Sequence, residues 1–228
     1  MSELKNELLE VLKEPELPDG ELRRRLLEVL LEPAQPRKMT YEEFLAWADE
    51  DTLAEWIDGE VIMTSLASRR HQEIALFLGQ VIGLYVEQLG SGRVLVPPFQ
   101  MKLERAGREP DLLFVANEHL DRLKETYLDG PADLVVEIIS PESAGRDRGE
   151  KFYEYEQAGI PEYWLIDPGM KRAEFYQMDT AGRYRLTDAD VMGICHSQAI
   201  PGFWLKVEWL WQEPLPRVLD VLREMRLV

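Results

Sequence analysis

Asp111, Glu137 and Lys151 are the residues of this chain whose types and spacing could do chemistry. Asp111 follows Pro110 and opens the apolar run Leu112-Leu113-Phe114-Val115, and Glu137 lies 26 residues later inside Leu134-Val135-Val136-Glu137-Ile138-Ile139. The second run is apolar at both alternating sets of positions, which predicts a strand covered on both faces. A carboxylate buried there alone costs several kcal/mol, so Glu137 is expected to be paired, protonated or bound to a metal. Asp147 and Lys151 follow at i, i+4 spacing with Arg146 and Arg148 beside them. A short connection lets their helix fold back onto the strand, with Lys151 in reach of Glu137. Two acids and a lysine suit phosphodiester hydrolysis. Carboxylates hold a hard divalent cation, the cation lowers the pKa of its water, and the ammonium steadies water or phosphate charge.

These residues must be positioned by a mixed α/β domain that begins near Met39. Thr40 and Glu43 form a capping-box pattern, which predicts a helix over 41–49. Asp58-Gly59 between Leu53-Ala54-Glu55-Trp56-Ile57 and Glu60-Val61-Ile62-Met63-Thr64 predicts a two-residue hairpin. Ile74, Leu78, Val81, Ile82 and Tyr85 recur at helical spacing and Gly90 follows, so 71–89 reads as a long buried helix. Strands are predicted over 94–103, 111–115 and 133–139, a helix over 143–158 ending at Gly159, and a buried strand over 163–166. Two further runs, 173–178 and 184–189, alternate around Asp179 and Gly182 and predict an antiparallel edge hairpin. Ahead of all this stands an imperfect repeat: Leu8-Leu9-Glu10-Val11-Leu12 with Glu14-Pro15 recurs 18 residues on as Leu26-Leu27-Glu28-Val29-Leu30 with Glu32-Pro33. Each copy reads as a short amphipathic helix ended by proline, and 218–226 has a related apolar stripe. The division expected is a helical extension over 1–38 and the main domain over 39–228.

The ordered set of motifs is familiar. Pro110-Asp111 followed by Glu137 in an apolar strand resembles the PD-(D/E)XK motif of the restriction endonuclease-like superfamily. The longer series Glu55-Trp56-Ile57-Asp58-Gly59-Glu60, His71, Pro110-Asp111, Asp133 to Ile138, Ser140-Pro141, Asp147-Arg148, Lys151 and Pro161 to Pro168 is similar to the Uma-two family of endonucleases. The resemblance covers roughly residues 40–211. It implies an α/β fold with a restriction endonuclease-like core, a mixed central β-sheet flanked by helices, here with an N-terminal helical extension. It also implies a Mg²⁺ or Mn²⁺ dependent endodeoxyribonuclease, with Asp111 and Glu137 as catalytic ligands and the carbonyl of Ile138 as a third metal donor. The superfamily's lysine stands two residues after the acid, where this chain has Ile139. Lys151 on the following helix takes that place, as in the Uma-two pattern.

Each of these residues also has a plainer reading. Asp111 and Glu137 could pair with Arg or Lys as structure, and an Asp147–Lys151 helix ion pair would explain Lys151 cheaply. His71, near the start of the long helix, could touch metal, water or phosphate, or be a helix-terminal or core histidine. Glu60 leaves the hairpin turn and could project into the same cleft, or be solvated. Gln100 could line the site or be the polar side of its strand. Trp204, Trp209 and Trp211 alternate with apolar neighbours and read as core or interface, Asp167-Pro168 as a turn, and Cys195 as a small buried residue.

Composition narrows the partners. The 228 residues carry 26 Lys+Arg against 43 Asp+Glu, a formal charge of −17, which repels a phosphate backbone in the mean field. Contact with DNA as substrate must therefore be local, through a metal or a basic patch. The lone Cys195 excludes an intrachain disulfide and a cysteine-rich zinc cluster and points to the cytoplasm. No run reaches the 18 or more apolar residues of a membrane span, and residues 1–10 lack the apolar core of a signal peptide. The terminal helices, too short and narrow to be stable alone, are expected to build a homodimer. The alternative function is a catalytically inactive nuclease-fold dimeric scaffold or binding module, which the −17 charge favours, as the acid–acid–lysine set favours the enzyme.

Overall fold

The computed structural model describes residues 38–48, 54–63, 67–140 and 143–228. The repeated segments over 1–36, and with them the helical extension, lie outside the described residues. Helix α1 (Tyr41–Trp47) starts at the capping box, with Thr40 and Glu43 each bonding the other's backbone N–H. Strands β1 (Ala54–Ile57) and β2 (Glu60–Met63) pair antiparallel about Asp58 and Gly59. Both turn residues have positive φ, 48° and 93°, as a type I′ hairpin requires, and glycine takes the second without strain.

Helix α2 (Arg69–Leu89) begins two residues before the predicted 71, because the Ser68 hydroxyl caps the His71 amide, and ends at Gly90 with φ 60°. It lays Ile74, Leu78, Val81, Ile82 and Tyr85 on one face of a six-stranded mixed sheet. That sheet contains β3 (Gly92–Leu95), β6 (Leu112–Ala116), β8 (Leu134–Ile138), β9 (Glu162–Asp167), β10 (Arg172–Met178) and β11 (Tyr184–Thr187), in the order β11-β10-β9-β8-β6-β3. Alternation along β8 splits the core into two layers. Leu134, Val136 and Ile138 face α2, whereas Val135 and Ile139 face Tyr155, Tyr163 and Leu165 on the other side. The second face is covered by helix α3, which runs without a break through Ala144–Arg146, a π-helical turn Asp147–Lys151, and Phe152–Ala158. Because α3 connects the parallel neighbours β8 and β9, it must cross over one face of the sheet.

The sequence reading departs from the structure mainly around 94–103. A single strand was expected there; the chain instead makes β3, then β4 (Gln100–Lys102) in a different sheet. Pro97 and Pro98 lack the N–H that a ladder needs, and the strand ends before them. The second sheet runs β2-β1-β5-β4-β7, with β5 (Ala106–Arg108) and β7 (Tyr127–Asp129), neither of which was anticipated. Gly107 in β5 lies under the Tyr41 ring, where a Cβ would come within 2.3 Å of a ring carbon. The predicted edge hairpin is β10 and β11. Strands β12 (Ile194–His196) and β13 (Trp204–Lys206) pair with each other, and helix α4 (Val218–Glu224) packs on α2. Trp209 and Cys195 are buried, and Trp204 and Trp211 are partly buried against the same core.

Candidate active site

Two carboxylates meet where β6 and β8 run side by side. Leu112 pairs with Val136, so one step further along the antiparallel register sets Asp111 opposite Glu137, on the face toward α3. Asp111 Oδ2 accepts the amide N–H of Ile138 at 2.7 Å, and Oδ1 lies 3.2 Å from Nε2 of His71. The first turn of α2 thus stands against Asp111. Burial alone would lower the His71 pKa, but Asp111, the Ile138 carbonyl and Asp147 together turn the net shift upward.

Lys151 is the centre of the remaining groups. It is 6% exposed, and its Nζ lies 3.0 Å from Glu137 Oε1, 3.2 Å from Glu55 Oε1 and 3.4 Å from Asp147 Oδ1. Glu137 Oε1 also accepts the Tyr155 hydroxyl at 2.8 Å. Glu55 comes from β1 in the other sheet; its Oε2 lies 3.0 Å from NH1 of the fully buried Arg108, which grips both oxygens of Glu154 at 2.8 Å. The π turn accounts for the alignment on α3. Four residues of an α-helix overshoot one turn by about 40°, whereas a π turn holds more residues and undershoots. The two steps, Asp147 to Lys151 and Lys151 to Tyr155, therefore deviate in opposite senses, so Lys151 and Tyr155 both reach Glu137 and Asp147 lies against Lys151. The Tyr163 hydroxyl donates to the Asp147 carbonyl at 3.1 Å and steadies the wide turn.

Burial pushes Glu137 up to about 8, with Asp147, Asp111 and Glu55 adding to the shift and Lys151 opposing it. Burial would lower Lys151, but Glu137, Glu55 and Asp147 together raise it above the ordinary lysine value, so the ammonium stays charged. Burial would likewise raise Glu55, yet Lys151 and Arg108 hold it below the ordinary value. Lys151 and Arg108 are thus shared by Glu55, Glu137, Asp147, Glu154 and Glu150, Asp111 faces only His71 among the described basic residues, and Asp147 Oδ1 is buried with no hydrogen-bond partner. A cluster so short of positive charge fits a divalent cation. The donors fit a hard one: Asp111, Glu137, and the carbonyl of Ile138, which points to the same strand edge as the N–H that reaches Asp111. Among the described residues no three His, Cys, Asp or Glu side chains converge on one cation position, so water would complete the shell, as Mg²⁺ prefers. A cleft of about 430 Å³ along α2, lined by Gln72, Leu76, Gly79, Gly83 and Val96, opens onto Asp111.

The structure therefore brings together Asp111, Glu137, Lys151, His71 and the Ile138 backbone. Gln100 is buried next to them: its Nε2 donates to the Ala54 carbonyl and to Glu109 Oε2, both at 3.1 Å, and its Oε1 has no partner. Glu60 does not join. It lies exposed at the turn end of the outer strand β2, opposite Ile57, and the acid that the hairpin contributes is Glu55. The Asp147–Lys151 helix ion pair is present at 3.4 Å, but both residues are buried and Lys151 has two further acidic partners. Sequence reasoning missed Glu55 and Arg108 as neighbours of the site, although the pairing of β1 with β5 sets them opposite each other.

The match to known proteins falls on this geometry. Residues 41–208, which include Glu55, Asp111, Glu137 and Lys151, match the sequence profile of Uma2, described as "Putative restriction endonuclease". The chain belongs to the Uma2 family. Two relatives from Synechocystis sp., both named as uncharacterized proteins, are sll1609, 27% identical over 68% of this chain and 89% of its own length, and slr1290, 24% identical over 64% and 77%. A crystal structure titled as a putative nuclease belonging to DUF820, from Anabaena variabilis, superposes with a TM-score of 0.63 at 18% identity, covering 76% of this chain and 97% of that one. That likeness shows the shared fold: the Uma2 chain has the mixed sheet and flanking helices of a nuclease-like domain. No helix among its described residues is long and apolar enough to cross a membrane.

Proposed function

We propose that this Uma2 protein is a divalent-cation-dependent endodeoxyribonuclease whose reaction centre is Asp111, Glu137 and Lys151. The observation that carries the reading is the placement of Asp111 opposite Glu137 with a charged, buried Lys151 3.0 Å from the second acid. Asp111 and Glu137 would hold Mg²⁺ or Mn²⁺ together with the Ile138 carbonyl; the bound cation supplies Lewis acidity and a water of lowered pKa. Lys151 keeps its proton, so it acts by charge, orienting the attacking water and stabilising the charge that develops on the phosphate oxygens. His71 holds Asp111 through Oδ1 and stands where it could also reach phosphate. The cleft along α2 leads substrate to Asp111, and a local cation offsets the repulsion that a −17 chain exerts on DNA.

Thermal melting with and without millimolar Mg²⁺ or Mn²⁺, followed by nicking of supercoiled plasmid by wild type and Asp111→Ala, tests the reading. Metal should raise the melting temperature, as any ligand of the native state does, and nicking should need metal and Asp111. Absence of both effects at millimolar metal would favour the non-catalytic scaffold. The homodimer expected from the terminal helices is part of the same proposal; the amino-terminal helices lie outside the described residues, and the carboxy-terminal one, α4, packs on α2. Deleting 1–36 should leave monomer in light scattering, and an unchanged oligomer would place the interface elsewhere.

A further inference from the structure

We propose that Glu55 is a positioning residue for Lys151: it keeps the ammonium beside the reacting phosphate once a cation has taken over Glu137. The inference rests on the nuclease reading. Lys151 has three acidic partners, and they are not equivalent. With a cation on Glu137, part of that carboxylate's charge would be taken up and its contact with the ammonium would weaken. Asp147 is the farthest of the three, at 3.4 Å. Glu55 stands outside the metal's donor set and comes from a different sheet, so binding at Asp111 and Glu137 leaves it in place.

Glu55 is itself fixed. Its Oε2 meets Arg108 at 3.0 Å, and its Oε1 accepts the Glu109 amide at 3.3 Å while facing Lys151 at 3.2 Å. Arg108 divides its charge between Glu55 and the two-point grip on Glu154, so part of the Glu55 charge is left for Lys151. The arrangement also explains how the chain works with Ile139 where a strand-borne lysine is usual. Ile139 is packed among Tyr155 and Tyr163, so the ammonium must come from the helix, and a long helix-borne side chain needs an anchor from across the site. The smaller sheet supplies it through β1 and β5.

The test uses the full chain as Glu55→Gln and Glu55→Asp, beside wild type and Lys151→Met. Glu55→Gln should keep the metal-induced rise in melting temperature and leave KM near normal, while kcat falls about a hundredfold, the usual result of a small misplacement of a reacting group. Trace acetylation followed by mass spectrometry should show Lys151 labelled severalfold faster in Glu55→Gln with Mn²⁺ present, the other lysines being unchanged. Glu55→Asp, which keeps the charge on a shorter arm, should fall between the two and serves if Glu55→Gln does not fold. Unaltered labelling of Lys151 overturns the proposal whatever the cleavage assay shows. Loss of the metal-induced melting shift overturns it as well, by making Glu55 a ligand. Absence of cleavage by wild type removes the nuclease reading alone, since the labelling still decides the role of Glu55.

Discussion

Glu137 and Glu162 are buried glutamates on adjacent parallel strands, yet they are treated in opposite ways. Glu162 faces the α2 side, is fully buried and is saturated by neutral donors. Its Oε2 accepts the Ser197 hydroxyl at 2.7 Å and the amides of Gln198 and Ala199 at 2.9 and 2.8 Å, and its Oε1 accepts the Trp164 indole at 2.8 Å. Glu137 faces α3 and receives one hydroxyl and one ammonium while three other carboxylates bear on it. The first arrangement pins the 197–199 segment to β9 and leaves no place for a ligand. The second keeps an acid that must take up a proton or a cation to be satisfied, which distinguishes a carboxylate held for chemistry from one held for architecture.

Exchanging each glutamate for its amide should separate the two. Glu137→Gln is expected to cut metal-dependent cleavage by roughly a thousandfold or more, the several kcal/mol that a cation gives a transition state. Its unfolding free energy in chelator should be nearly unchanged well below pH 8, where the wild-type carboxyl holds a proton, and raised above it, where carboxylate repulsion is relieved. Plasmid nicking and urea unfolding on the same samples measure both. Glu162→Gln should do the reverse: an amide nitrogen turned toward buried donors costs about 2–4 kcal/mol of stability, with cleavage per folded molecule and the metal-induced melting shift preserved. Equal stability losses in the two variants would erase the distinction.

Titration sharpens the contrast. The Glu137 carboxyl, ordinarily near 4.5, is pushed up to about 8 by burial, so between these values the folded chain binds more protons than the unfolded one. Its contribution to stability is then full below about 4.5 and is lost as pH rises through about 8, a change of roughly 1 kcal/mol or more in metal-free protein. Chelator-treated wild type and Glu162→Gln should show this fall in urea titrations between pH 5 and 8, and Glu137→Gln should lack it, these pH limits being set by roughly the span of the shift. Tyr155→Phe is the smallest change. Losing one hydroxyl donor to Glu137 should cost about 1 kcal/mol in chelator, and metal should recover part of it, since the cation replaces the missing positive end.

The parts of the molecule that were legible in the sequence are those where periodicity and a single chemical oddity coincide. An acid in the middle of β8 stands out because everything around it is apolar, and Lys151 stands out one helix later. Glu55 has no such background. It lies in a short polar-edged hairpin, 82 residues before Glu137, and nothing local in the sequence singles it out from Glu60. Both glutamates fall on the same face of that hairpin, and only the pairing of β1 with β5 brings one of them under α3. Arg108 was hidden likewise, because the short polar run Glu104-Arg105-Ala106-Gly107-Arg108-Glu109 shows too little alternation to announce a strand. Local pattern thus located the acids, and nonlocal pairing chose their companions.

The π turn of α3 has a further consequence, for the kinds of change the gene can tolerate. Within the same length the helix holds about one residue more than an α-helix would, so its two ends are out of step by a residue. Losing an exposed residue such as Gly149, which has no neighbour its Cβ would meet, should restore regular α-helix at little structural cost. The residues before the deletion would then turn by about 100° relative to those after it, carrying Asp147 away while Lys151 and Tyr155 stay. Substitutions at position 149 should therefore be nearly silent and a deletion there severe, a pattern opposite to that of an ordinary surface loop, where a residue more or less is readily absorbed.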